Sequence, residues 1–125
     1  MNVLIDTSIW IEYFKTGDVA HVDFLIDENL VVTNELILTE LIPYLKLKKQ
    51  TRVITLLKNI NLVPLKIDWD EIIEYQFKCL KNGANGIGIP DLIIAQNAKQ
   101  NNLGVYSLDK HFRLMGQNLK LKLYS

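Results

Sequence analysis

Short apolar runs that stop at polar or acidic residues constrain the fold of this chain most strongly. Val3–Ile5 is such a run, and Asp6 ends it. Leu30–Val32 and Val105–Ser107 are similar, and segments with helical periodicity lie between them. Short apolar runs predict buried strands. Strands separated by helices predict an α/β sandwich with a mostly parallel central sheet flanked by helices.

The first predicted helix carries Ile9, Trp10, Tyr13 and Phe14, with Thr7 or Ser8 as its cap, and ends near Gly17. Asp68, with Glu71 three residues on, resembles a capping box for a helix that ends before Gly83. The other predicted helices are Val19–Ile26, Thr33–Lys46, Gln50–Ile60 and Asp91–Asn101, the last preceded by a glycine-rich loop and Pro90.

Two prolines should modify the predicted helices and strands, and the C-terminal residues predict one more strand. Pro43 should kink or shorten its helix, because it lacks an N–H and crowds the preceding turn. Pro64 lies within the predicted strand Leu62–Ile67, which suggests an edge strand or a bulge. Lys120–Tyr124 alternates lysine with apolar residues, as a half-exposed edge strand does.

Length and composition predict one globular domain over residues 1–125. Lys and Arg number 14, and Asp and Glu also number 14, so net charge identifies no partner. The single cysteine, Cys79, cannot form an internal disulfide or a cysteine metal cluster, and we expect it to pack in the core. No apolar run approaches the roughly 20 residues of a membrane span, and a cytoplasmic protein is expected.

Four acids occupy positions where carboxylates are unusual. Asp6 directly follows a predicted strand and Asp109 lies two residues beyond another, at the sheet edge where α/β folds bind ligands. Glu40 falls within an apolar helical stripe and should face inward, although a solvated acid at the edge of the stripe is an alternative. Asp91 also shares an apolar face, although stabilisation of the helix dipole would explain a first-turn acid.

Convergence of these four acids would require cations. Two unit negative charges about 4 Å apart repel by roughly 4 kcal/mol at an effective dielectric constant of 20. Oxygen ligands without nearby histidine or cysteine favour Mg²⁺ or Mn²⁺ over zinc. His21 and His111 have no histidine or cysteine partner at metal-ligand spacing, and neither is chosen as a general base. Such a site suits phosphoryl chemistry.

Four segments together resemble the PIN domain, and most closely the VapC-type ribonuclease toxins of toxin–antitoxin pairs. They are Val3–Glu12 with its Asp-Thr-Ser sequence, Leu38–Leu41 with Glu40, Ile89–Ala95 with Asp91, and Val105–Phe112 with Ser107 and Asp109. Together they span almost the whole chain in the family's order. Position 107 more often carries threonine in this family, and serine keeps the hydroxyl. Residues Lys46 to Ile67 match no motif of the family.

The resemblance implies Mg²⁺- or Mn²⁺-dependent cleavage of RNA, a homodimer, and a cognate antitoxin whose C-terminal segment covers the site. Carried over residue by residue, it makes Asp6, Glu40, Asp91 and Asp109 the catalytic, metal-binding acids. It makes Thr7, Ser8 and Ser107 supporting hydroxyls.

Two further features have alternative interpretations. Six basic residues and no acid lie between Leu41 and Ile67, and four of them could bind RNA phosphates or form a solvated helical face: Lys46, Lys48, Lys49 and Arg52. Trp10, Tyr13 and Phe14 could be core residues or could form an exposed groove for an antitoxin helix.

The sequence is also compatible with two other classes of function. A phosphatase or phosphoacceptor domain also places acids at strand ends, but the phosphatase motif would want a second aspartate at position 8, where this chain has Ser8. A PIN-like module could instead bind RNA or protein without cleavage, although a degenerate site need not keep four acids.

Overall fold

A computed structural model describes residues 1–124. Within them, four strands and seven helices follow one another along the chain. The elements are β1 Val3–Ile5, α1 Thr7–Thr16, α2 Val22–Asp27, β2 Val31–Thr33, α3 Glu35–Leu47, α4 Thr51–Lys58, β3 Asn61–Leu62, α5 Trp69–Lys81, α6 Ile89–Gln100, β4 Gly104–Tyr106 and α7 Lys110–Leu119. No helix in this part of the chain is long and apolar enough to cross a membrane.

The sheet has the order β3-β2-β1-β4, and every pair of strands in it is parallel. Val3 and Leu4 pair with Val31 and Val32 on one side of β1 and with Gly104 and Val105 on the other. All three residues of β1 are buried, as expected for a central strand with helices on both faces. The predicted α/β fold with a parallel sheet is therefore confirmed.

The helix starts differ in part from the prediction. Asp6, rather than Thr7 or Ser8, is the N-cap of α1, and its side chain caps no backbone N–H. The side chain of Asn34 accepts a hydrogen bond from the Ile37 N–H at the start of α3. Asp68 accepts from the Glu71 N–H, but Glu71 accepts from Gln96 instead of completing the box. Asp6 thus keeps its carboxylate available for contacts outside the helix.

The structure corrects the predicted shortening of α3 at Pro43 and the predicted bounds of the strand near Pro64. Helix α3 continues through Pro43, which is exposed, so water can satisfy the carbonyl group that loses its N–H partner. Strand β3 spans Asn61–Leu62 and ends before Pro64, whereas Leu62–Ile67 was predicted. Its predicted edge position is correct.

The C-terminal region contains a helix that the sequence did not predict. Phe112, Met115 and Leu119 form the buried face of α7, while Gly116 weakens the helical signal. A Cβ at Gly116 would lie 3.0 Å from Leu123, so glycine lets the following segment pack closely. Lys120–Tyr124, predicted as a strand, pairs with the sheet only through a bridge between Leu123 and Val105.

Candidate functional site

Asp6 is held rigidly at the carboxyl end of β1. It is 6% exposed, and its N–H donates to the Tyr106 carbonyl oxygen at 2.9 Å. Its Oδ2 accepts hydrogen bonds from the Ser8 hydroxyl at 2.9 Å and the Ser107 hydroxyl at 2.8 Å. Among the described residues, Oδ1 has no hydrogen-bond donor. One oxygen of Asp6 is thus fixed, and the other is available to a cation.

The same two hydroxyls fix the turn that carries Asp109. Ser8 Oγ accepts from the Leu108 N–H at 3.0 Å, and Ser107 Oγ accepts from the Asp109 N–H at 2.9 Å. Each hydroxyl therefore donates to Asp6 and accepts from the backbone. Asp109 then caps α7, since its Oδ1 accepts from the His111 N–H at 2.9 Å. Ser8 and Ser107 thus connect Asp6 to the turn that carries Asp109.

Asp91 enters the cluster from the first turn of α6. That helix is buried from Leu92 to Ala98, so it has no separate apolar stripe for Asp91 to share. Asn97 anchors it through hydrogen bonds from Asn34 at 2.9 Å and to the Pro64 carbonyl oxygen at 3.0 Å. Burial, followed by the negative charges of Asp109 and Asp6, raises the pKa of Asp91 to about 6, against the lowering effect of His111.

Glu40 lies at the open side of the cluster. The residue is exposed, which corrects the prediction that it faces inward. Ile37, Leu41 and Leu45 form the buried stripe of α3, and Glu40 lies beside it. Its Oε1 is 3.5 Å from the Thr7 hydroxyl. Partial burial of the carboxyl group, followed by the charges of Asp6 and Asp91, raises its pKa. Glu40 therefore shares the electrostatic field of the other acids.

His111 belongs to the cluster, and the sequence interpretation missed it. Its Nδ1 lies 3.3 Å from Asp109 Oδ1 and 3.7 Å from Asp91 Oδ2. The sequence contains no histidine or cysteine partner at metal-ligand spacing from it, and its neighbours in the structure are carboxylates. Its place two residues after Asp109, in the first turn of α7, was the available signal. Without α7 in the prediction, that signal could not be used.

The cluster has donors suited to a divalent cation. One ligand atom each from Asp91, Asp109 and His111 lies within 4.8 Å of the others. The charge of Asp6 acts on both Asp91 and Glu40. Burial is the larger cause of the raised pKa values of Asp91 and Glu40, and the neighbouring negative charges raise them further. A donor set dominated by carboxylate oxygen fits Mg²⁺ or Mn²⁺.

The family follows from a match to the PIN domain model over residues 3–118. This chain belongs to the PIN domain family. No curated protein sequence matches the chain.

Solved structures share the fold of this PIN domain. DNA-bound VapBC from Salmonella typhimurium has a TM-score of 0.78 and 15% identity, with 99% of this chain and 97% of that chain covered. VapBC2 from Rickettsia felis, bound to a promoter DNA fragment, has a TM-score of 0.78 and 17% identity, with 99% and 98% covered. Mycobacterium tuberculosis VapC20, described as a sarcin–ricin loop cleaving toxin, has a TM-score of 0.64 and 15% identity, with 92% and 95% covered.

The aromatic residues of α1 divide between the core and a groove of this PIN domain. Trp10 is buried and stacks on Phe14, with 5.5 Å between ring centroids. Tyr13 and Phe14 are half-buried and line a groove of about 340 Å³ with Leu56 and Ile60. The Tyr13 hydroxyl donates to Asp23. We call this groove, bounded by α1, α2 and α4, the apolar groove.

The four basic residues considered for RNA contact are exposed around the junction between α3 and α4: Lys46, Lys48, Lys49 and Arg52. None of them forms an ion pair with an acid in residues 1–124. Lys46 follows Glu40 by six residues on α3, which is about 9 Å along a helix. The charges are therefore unpaired by acids in the described residues, and they lie toward the end of α3 and beyond it. Cys79 is buried in the core, as expected.

Proposed function

We propose that this PIN domain is a divalent-metal-dependent ribonuclease, the toxin of a toxin–antitoxin pair. The observation that carries the proposal is the convergence of four acids from four parts of the fold at one edge of the sheet. Asp6 follows β1, Asp91 lies in the first turn of α6, Asp109 caps α7, and Glu40 lies on α3. The neighbouring VapC20 is described as a cleaving toxin, which supports the same class of reaction.

In the proposed reaction, the oxygen of a water molecule attacks phosphorus, and the bond from phosphorus to the leaving oxygen breaks. The water gives up one proton and the leaving oxygen takes up one. A divalent ion held by the acids would lower the pKa of the water and stabilise the leaving oxygen. Asp6 presents Oδ1 in a fixed orientation, because Ser8 and Ser107 hold Oδ2. Asp91 and Asp109 supply further carboxylate oxygens, and Glu40 closes the open side. Thr7 orients Glu40 only weakly, since their oxygens lie 3.5 Å apart.

The RNA would reach this site across the exposed basic residues around the junction between α3 and α4. Their unpaired charges can release counterions from the RNA backbone, which favours binding at low salt. The direction from Lys46 to Glu40 along α3 leads from this basic surface to the acid cluster. A zero net charge is compatible with RNA binding when the charges are separated in this way.

A cognate antitoxin is the partner expected for the apolar groove. The VapBC complexes share the fold. Half-buried Tyr13 and Phe14 lie on α1, the helix that begins directly after Asp6. An apolar helix in the groove could direct a lysine or arginine into the acid cluster. That cation would pair with the carboxylates and displace metal, which inhibits the enzyme without any change of fold.

We also propose a homodimer, as the resemblance implied. Helix α5 carries an exposed apolar stripe that consists of Trp69, Ile73, Phe77 and Leu80, each more than half exposed. Residues at this spacing lie on one helical face. A second copy of the chain would remove this face from water.

The nuclease proposal is tested by incubating purified protein with RNA and Mg²⁺ or Mn²⁺. Cleavage should require the ion and stop when EDTA removes it. Cleavage that continues in EDTA would contradict metal dependence. Binding of RNA without cleavage under all ion conditions would favour the non-cleaving module.

A further inference from the structure

His111 presents one particular nitrogen to the acid cluster. Its Nδ1 faces Asp109 and Asp91, whereas its Nε2 faces the loop around Gly86, where a Cβ would lie 3.8 Å from that nitrogen. Gly86 has a φ of 82°, a conformation that favours glycine. The absence of a side chain there leaves room for the ring. Asp109 also accepts from the His111 backbone N–H, so the ring is tied to the residue it faces.

The distances around Nδ1 fit neighbouring ligands of one ion. In an octahedral site with metal–ligand distances near 2.1 Å, adjacent ligand atoms lie about 3.0 Å apart and opposite ones about 4.2 Å apart. Nδ1 lies 3.3 Å from Asp109 Oδ1 and 3.7 Å from Asp91 Oδ2. Small side-chain rotations would bring all three atoms to the same ion. Ser8 and Ser107 hold Asp6 beside them without occupying Oδ1.

An imidazole ligand changes which ion such a site prefers. Mg²⁺ binds carboxylate and water oxygens and seldom takes nitrogen, whereas imidazole suits transition metals. Mn²⁺ accepts both kinds of donor in octahedral geometry. A site with three or four carboxylates and one imidazole therefore gains more affinity for Mn²⁺ than for Mg²⁺.

We propose that Nδ1 of His111 is a direct ligand of a divalent ion shared with Asp91 and Asp109, and that it makes this site select Mn²⁺ over Mg²⁺. The proposal rests on the proposed metal-dependent function and adds a nitrogen ligand to its four acids. His111 is then a metal ligand rather than a counter-ion for the carboxylates.

Pulsed electron paramagnetic resonance of Mn²⁺ bound to the full chain tests this directly, because coordinated imidazole nitrogen modulates the Mn²⁺ signal. The chain has two histidines, and His21 lies elsewhere, with its Nδ1 3.0 Å from the Tyr124 hydroxyl. The matched variants are His111→Asn and His21→Asn. Asparagine is a suitable replacement at position 21, because His21 has a φ of 69° and asparagine tolerates this left-handed conformation.

Wild-type protein and His21→Asn should show the nitrogen modulation, and His111→Asn should lose it. In calorimetric titrations, His111→Asn should bind Mn²⁺ about tenfold more weakly, with a much smaller change for Mg²⁺. Labelling the histidine of His21→Asn with ¹⁵N should replace the ¹⁴N pattern, a result that needs no substitution at position 111.

Bound Mn²⁺ without nitrogen modulation in His21→Asn would overturn the role of His111 and leave the four-acid nuclease intact. Modulation that persists in His111→Asn would overturn it in the same way. Failure of Mn²⁺ to bind the wild-type chain at all would overturn this proposal and the proposed function together.

Discussion

Asp6 and Ser107 lie 101 residues apart in the chain, and the Ser107 hydroxyl donates a 2.8 Å hydrogen bond to Oδ2 of Asp6. The contact follows from the pairing of β1 with β4, which places the ends of the two strands side by side. Ser8 donates to the same oxygen. The carboxylate of Asp6 is thus oriented by one hydroxyl from the N-terminal part of the chain and one from the C-terminal part.

Replacement of Asp91 by asparagine should change how stability depends on pH. Without metal, burial and neighbouring acids raise the pKa of Asp91 from 3.8 to about 6. A raised carboxyl pKa gives stability that is complete below about pH 4 and is lost as pH rises through about 6. Asp91→Asn avoids this loss, so its advantage over wild type should grow by about 1–2 kcal/mol between pH 4 and pH 7.

Urea unfolding in EDTA at several pH values measures that difference. Asp70→Asn is the matched control, because Asp70 is an exposed acid in the first turn of α5. If Asp91 serves only the helix dipole, Asp91→Asn should instead destabilise the protein near pH 7, as Asp70→Asn should by about 0.3–1 kcal/mol. That result would contradict a repulsive acid cluster.

Charge reversal on the basic surface should weaken RNA binding. Lys48→Glu with Arg52→Glu removes two counterion-releasing contacts, so affinity should fall and the slope of its logarithm against salt should become shallower by about one to two. The control reverses Lys78 and Lys81, which are exposed on α5. Filter binding to single-stranded RNA across a salt series measures both values. Equal losses in the two double variants would remove RNA contact from the α3–α4 surface.

A charge at the rim of the apolar groove should weaken antitoxin binding. Leu56 is 60% exposed and lines the groove, so Leu56→Asp would place a carboxylate against the antitoxin with little effect on the core. Tyr13→Asp is less informative, because it would also bring a carboxylate to Asp23, the present partner of the Tyr13 hydroxyl.

Affinity for the co-encoded antitoxin, measured by calorimetry, should fall at least about tenfold for Leu56→Asp. Leu47→Asp is the control, since Leu47 is more exposed and lies outside the groove. Wild-type affinity in folded Leu56→Asp protein would place the antitoxin elsewhere.

Substitution in the exposed stripe of α5 should separate the homodimer. Phe77→Glu would bury a charge in each half of a symmetric interface, which is costly without a partner. Light scattering during size-exclusion chromatography should show a dimer for wild type and for Phe24→Glu, and a monomer for Phe77→Glu. Phe24 is similarly exposed but lies on α2. A wild-type monomer at all concentrations would contradict the proposal.

The sequence predicted the features that depend on local pattern. Val3–Ile5 is apolar and ends at Asp6, so both the strand and the acid at its end could be located. Asn34 and Asp68 cap helices near the predicted positions. The PIN resemblance, carried by acids in a fixed order, was confirmed as a family assignment.

The features that could not be predicted from the sequence depend on tertiary packing. Gly116 weakens the helical pattern of α7 in the sequence. The structure has glycine there because the position lies against Leu123, a contact that no local pattern reveals. With α7 missing, His111 could not be placed beside Asp91. Glu40 was assigned inward because a helical wheel cannot show that the α3 face opens onto a site and not onto the core. Pro43 stayed in its helix because its side is exposed.

Cleavage of RNA by wild-type protein and by Asp6→Asn, side by side with Mn²⁺ or Mg²⁺, tests the central claim most directly. Asparagine preserves the volume of Asp6 but removes the charge that the site offers to the ion. Wild type should cleave only with metal, and folded Asp6→Asn should be at least about 100-fold slower. Cleavage by Asp6→Asn at the wild-type rate, with metal present, would contradict the claim that these carboxylates form the catalytic site.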